Sequence, residues 1–147
     1  MNTTLAQSRN ATTSAKPRSK ILVTFLWIVQ VLLAFGFGMF GFMKLTQPIA
    51  ALVPMMPWTK DVPEAMVRFI GLSEVLGAIG ILFPSLTRIL PRLTPLAGAG
   101  LVLVTAMALV FHLSRGEMGA MPTPLILGSL SLFVAWGRFR KAPIEAR

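Results

Sequence analysis

Residues 68 to 84 read RFIGLSEVLGAIGILFP, an apolar, glycine-rich run with one glutamate, Glu74, near its centre. Such a run either lies in a soluble core or crosses a bilayer, and an ionised carboxylate is costly in both. The rest of the chain decides between them. Of its 147 residues 54% are hydrophobic and only 13% are charged, with a mean hydropathy of +0.73. A soluble domain of this size needs more polar surface to cover its core. Several apolar segments reach about 20 residues, the length that spans hydrocarbon as a helix. The sequence predicts an all-α fold, a transmembrane four-helix bundle.

Working outward from Glu74, the span that contains it is expected over residues 62–83. Asp61 is expected as its N-cap, with Pro63 in the first turn and Glu64 three residues after the cap. Upstream, ILVTFLWIVQVLLAFGFGMFGFM (21–43) is too long for a signal-peptide core and reads as a first span over 21–44. Pro48, Pro54, Pro57 and Pro63 break the stretch between the two spans into an interfacial loop, with a short helix near Ile49 to Val53. Downstream, Thr94 followed by Pro95 reads as an N-cap opening a third span over 95–113. A fourth, over 121–136, ends in WGRFRK. Residues 1–18 have almost nothing apolar to bury and are expected as a disordered tail. The domains are thus the 1–18 tail, a membrane domain over 19–141 and a second cytoplasmic tail over 142–147.

Charge gives orientation. With the N-terminus inside, the inner segments hold Arg9, Lys16, Arg18, Lys20, Arg88, Arg92, Arg138, Arg140, Lys141 and Arg147. The outer side keeps only Lys44, Lys60, Arg68 and Arg115, so both termini are expected in the cytoplasm. The net charge of +9 is therefore a topology and lipid-contact signal, not a nucleic-acid face. There is no cysteine, which excludes disulfides, thiol redox chemistry and Cys-ligated metals. No glycine-rich phosphate loop occurs between a strand and a helix. The glycines of the first three spans read instead as helix–helix contact points.

Glu74 shares a helical face with Gly71 and Ala78, so it should point inward, protonated, paired or facing a cavity. Lys44 ends the first span and His112 lies in the last turn of the third, both at the outer end. Arg68, six residues before Glu74, points away from it. Every ionisable residue near membrane depth is thus expected in the outer half. Lys44, Glu74 and His112 are the candidate ligand-binding residues. Against this, Lys44 reads equally as a snorkelling anchor, His112 as a packing residue and Glu74 as a pin for helix register. As the only histidine, His112 makes no bis-histidine haem site, and no catalytic or metal-binding constellation stands by itself.

Three segments in order carry a resemblance: GFMKL (41–45), SEVLGAIGILFP (73–84) and FHLSRGE (111–117). Together they resemble the DoxX-like family of small four-helix bacterial membrane proteins, over about residues 21 to 140. The resemblance implies a multi-pass protein of the bacterial inner (plasma) membrane, with Lys44, Glu74 and His112 at the matching positions. It also implies, by analogy with the founding thiosulfate–quinone oxidoreductase subunit, an accessory role in a membrane redox complex. An oxidoreductase label rests on that resemblance alone, and the lack of cysteine removes any sulfur chemistry through the chain's own thiols.

The leading expectation is a small amphipathic ligand, a quinone or a lipid, in an outer-half pocket. The alternatives are an assembly scaffold without ligand and, third, a proton-coupled small-molecule transporter. The candidate partners are the lipid bilayer, a membrane or redox protein and a second copy of the chain. Nucleic acid is excluded.

Overall fold

The computed structural model describes residues 19–147, so the tail expected over 1–18 lies outside the described residues. The described chain is helical throughout its regular structure. Four long helices, α1 (Lys20–Thr46), α3 (Glu64–Thr87), α4 (Leu93–Ser114) and α5 (Pro122–Trp136), follow one another, the last three through short connections. The four-residue helix α2 (Ile49–Leu52) and a 3-10 turn at Pro57–Asp61 lie between α1 and α3. A second 3-10 turn, Met118–Ala120, leads into α5, which continues as a π-helical turn, Gly137–Lys141. All four long segments, the last counted over Met118–Lys141, are long and apolar enough to cross a membrane. At 1.5 Å per residue the 27 residues of α1 reach about 40 Å, ample for a hydrocarbon core of about 30 Å. The protein is an integral, multi-pass membrane protein.

The packing is that of a lipid-solvated bundle. Large side chains cover the outside, with Phe35 71% and Phe69 69% exposed. A narrow core of Leu26, Leu33, Phe37, Ile81, Leu101 and Val134 runs along the axis. Helix α1 packs chiefly on α3, α3 on α4 and α4 on α5, with a lighter contact closing α5 onto α1. Where α1 crosses α3 the backbones nearly touch. A Cβ built on Gly41 would stand 2.8 Å from the Gly71 carbonyl oxygen, and one on Gly71 the same distance from that of Gly41. The expected glycine contacts hold there, but Gly36 and Gly100 face open space.

Helix ends depart from expectation in instructive ways. Asp61 does not cap the second span: Pro63 occupies that place without a side-chain bond, and Asp61 closes the preceding 3-10 turn. That span runs on through Pro84 to Thr87 and ends at Arg88, whose φ of 59° is left-handed and whose N–H reaches the Pro84 carbonyl. Proline forfeits one intrahelical bond there, but in the last turn the cost is small against the burial of Pro84. Thr94 is likewise no cap. Helix α4 starts two residues before the expected 95, at Leu93, and Thr94 is fully buried within it. The loop helix and the fourth span fall within a residue or two of expectation.

Candidate functional site

The last turn of α1 and the middle of α3 meet just beyond the Gly41–Gly71 crossing. There Lys44 Nζ donates to both carboxylate oxygens of Glu74, at 2.8 and 2.7 Å. Both side chains are buried, Lys44 6% and Glu74 8% exposed as residues. The two residues are 30 apart in sequence, and the close approach of two glycines brings their helices near enough to join them. A bidentate, buried pair of this kind answers why the chain tolerates an acid at this depth: each charge is the other's counter-ion.

Around the pair lies a second, more exposed layer. Trp58, on the 3-10 turn, has its ring 6.0 Å from Lys44 Nζ and meets Phe111 edge-on. Phe111 in turn meets His112 edge-on. His112 is buried, but its polar contact runs outward: Nδ1 lies 2.7 Å from Glu117 Oε2. An ionised carboxylate only accepts, so the ring nitrogen donates. Thus the structure joins Lys44 to Glu74 directly and leaves His112 connected to them only through aromatic neighbours.

Arg115 ties the layer together, donating to Glu117 at 2.7 Å and to Asp61 at 2.6 Å. This is where Asp61 spends its carboxylate instead of capping α3. The Glu117 carboxyl is held below its ordinary value by the hydrogen bond from Arg115, then by that from His112. Arg115 is correspondingly raised, chiefly through its bond to Glu117. Arg68 points away from Glu74, as the helical geometry requires, and pairs with Glu64 at 2.7 Å. It also donates to the backbone carbonyls of Lys44 and Gln47, satisfying orphan acceptors at the end of α1.

An apolar groove follows the seam between α1 and α3. Ala34, Gly38, Val75, Ala78 and Leu82 line it towards Leu86, and Phe42 and Met39 flank it near the Lys44–Glu74 pair. Val75 adjoins Glu74 in sequence and lines the groove along both stretches.

The opposite end corrects the expectation that membrane-depth ionisable groups gather at one end. Arg138, counted in sequence as one of a terminal basic cluster, is only 4% exposed. Its Nε donates to Gln30 Oε1 at 2.7 Å, and its guanidinium lies 5.2 Å from the Trp27 ring. Gln30, fully buried in mid-α1, donates onward to the Ile81 carbonyl at 2.7 Å and to Ser85 at 2.9 Å. Ser85 shares a hydrogen bond with Thr94 at 2.8 Å. This network links all four long segments, and sequence reading missed it. A glutamine in the middle of ILVTFLWIVQVLLAFGFG was the available signal, since a buried amide needs partners.

No curated protein and no solved structure matches the chain. The model of the DoxX-like family matches residues 28–134, which takes in the whole seam, the Lys44–Glu74 pair and His112. With that match over most of its length, the chain belongs to the DoxX-like family.

Proposed function

We propose that this protein holds a small amphipathic molecule of the quinone or lipid class along the α1–α3 seam. Its polar head would lie at the Lys44–Glu74 end, and a membrane redox partner would use it. One observation carries the reading: the buried ion pair and an apolar groove belong to the same two helices, with Val75, next to Glu74 in sequence, lining the groove, so a polar anchor and a tail-sized surface share one seam. Lys44 has three donors, of which Glu74 engages the ammonium from one side. A carbonyl or hydroxyl of the ligand would take a donor facing the Trp58 side, and Trp58 with Phe111 would give its ring apolar walls. His112 serves this site as a support, holding the connection before α5 through Glu117. Both termini lie in the cytoplasm in this reading, with the anchor at the far face of the inner membrane.

The test is lipid extraction and mass spectrometry of protein purified in mild detergent. Wild type is expected to carry a quinone or a defined lipid in near-stoichiometric amount. Glu74→Gln and the groove-filling Val75→Trp are expected to lose it while remaining folded. Equal ligand content in wild type and both variants would refute the reading. A scaffold without ligand has its own support, since Lys44 and Glu74 already satisfy each other and pin the α1–α3 register. It predicts an empty wild type whose Glu74→Gln variant is merely less stable. No observation favours proton-coupled transport.

A further inference from the structure

The chain has five acidic residues, and among the described residues one buried cation, Arg138, stands in no ion pair. Asp61, Glu64, Glu74 and Glu117 all lie at the Lys44–Glu74 end, each in an ion pair. The fifth, Glu145, is exposed in the C-terminal tail. Among the described residues, Arg138, at the other end, meets neutral acceptors: Gln30 Oε1 for Nε and the Ala142 carbonyl for Nη1, the latter at 3.3 Å. Its Nη2 is buried and has no hydrogen-bond partner among the described residues. A buried guanidinium without an anion carries a desolvation penalty that neutral acceptors offset only in part. Arginine's planar fork suits one partner above others, a two-oxygen anion such as phosphate.

The surroundings are built for such a partner. The π turn Gly137–Lys141, closed by the Ala142 N–H on the Gly137 carbonyl at 2.7 Å, carries Arg138, and π turns recur at functional sites. A Cβ on Gly137 would collide with Leu26, so the turn sits tight against α1. After the turn comes a segment without regular structure, residues 142–147, whose first carbonyl, that of Ala142, accepts from Arg138 Nη1. It is held by Ala142, and at its end by the Arg147 N–H on the Arg88 carbonyl at 3.3 Å. The Arg138–Ala142 and Arg147–Arg88 contacts are both neutral and long, at 3.3 Å. Exchanging them for a charged acceptor is favourable, because charge-assisted bonds are roughly twice as strong as neutral ones. Lys20, Arg88, Arg92, Arg140 and Lys141 share this end and raise the local concentration of anions.

We propose that Arg138, with Gln30 and the 142–147 tail, forms a phosphate-binding site at the basic end of the bundle, filled by the headgroup of an anionic phospholipid. Soluble phosphate has the same chemistry, and the experiment separates the two. The site is distinct from the Lys44–Glu74 anchor at the opposite end and does not depend on what that anchor holds.

Native mass spectrometry in a neutral detergent would titrate the protein with phosphatidylglycerol, with phosphatidylcholine and with inorganic phosphate. Wild type is expected to prefer phosphatidylglycerol about tenfold or more. Arg138→Gln should lose that preference, while Arg140→Gln, at an exposed basic position beside it, and Val75→Trp in the seam should keep it. Arg138-dependent binding of inorganic phosphate, with no preference between the lipids, would keep the site and make the soluble anion its ligand. Equal phosphatidylglycerol preference in wild type and Arg138→Gln, or equal loss in Arg140→Gln, would overturn the proposal in favour of unspecific attraction to a basic end. If Arg138→Gln does not fold, hydrogen exchange of wild type in phosphatidylcholine nanodiscs decides the matter. Adding phosphatidylglycerol or phosphate should change protection over 137–147, and unchanged protection there with both overturns the site.

Discussion

At the scale of single residues, Glu74 and Lys44 are worth more as a pair than as parts. Glu74→Gln leaves a buried ammonium facing a neutral amide, and breaking one side of a buried pair costs about 3 kcal/mol or more. Replacing both, as Lys44→Met with Glu74→Leu, removes the two desolvation penalties together and should return most of that stability. Thermal unfolding in detergent is expected to rank wild type and the double variant close together, with Glu74→Gln well below. A double variant as unstable as the single one would show that the pair contributes through more than its charges. This variant also serves the functional question, since it keeps the fold while removing the polar anchor. Neither residue's partner was legible in sequence: the candidate residues were readable from depth and type, but a pairing across 30 positions depends on where two glycines let the helices cross.

At the scale of elements, the α1–α3 crossing and the outer loops are the places where local chemistry sets geometry. Gly71→Ala would push its Cβ to 2.8 Å from the Gly41 carbonyl and from Lys44 Cβ, so the helices must separate; a loss of about 1–3 kcal/mol is expected. Gly100→Ala, into open space on a helix, should be neutral or stabilising by up to about 1 kcal/mol, which makes it the matched control in the same melting assay. The loop after α4 carries the pH dependence. The Glu117 carboxyl is depressed by Arg115 and then His112, so its contribution is present above the ordinary 4.5 and is lost as pH falls through its lower folded value. Acidification below that point should loosen the Asp61–Arg115–Glu117 linkage, read as faster hydrogen exchange over 57–61 and 115–120. In Glu117→Gln the exchange there should already be faster at neutral pH and should change less on acidification. The spans themselves were readable from length and apolarity because hydrocarbon thickness dictates both. Their caps were not, because Asp61 and Thr94 had better tertiary partners in Arg115 and Ser85 than a local N–H.

At the scale of the whole molecule, the charges divide into two unlike ends. Lys44, Lys60, Arg68 and Arg115 are balanced by Asp61, Glu64, Glu74 and Glu117 at one end, while the other carries its basic residues against Glu145 alone. Sequence counting alone yields the same division, and for most of those residues a topology signal would suffice to explain it. Arg138 is the exception: from GRFRK it is indistinguishable from Arg140, and only the π turn, which aims it at Gln30 and Trp27, makes one buried and the other exposed. If the positive-inside rule governs insertion, the basic end is cytoplasmic and the ion-paired end faces outward. The absence of cysteine makes this directly measurable, because any introduced thiol is unique. Lys60→Cys, on the exposed 3-10 turn, should react in intact cells with a membrane-impermeant maleimide small enough to pass any outer membrane. Arg140→Cys, exposed at the basic end, should react only after the membrane is opened. The reverse pattern would put the unbalanced cations outside. Arg138 would then meet the outer leaflet and the Lys44–Glu74 anchor the cytoplasm, so this labelling fixes which leaflet or compartment supplies each proposed ligand.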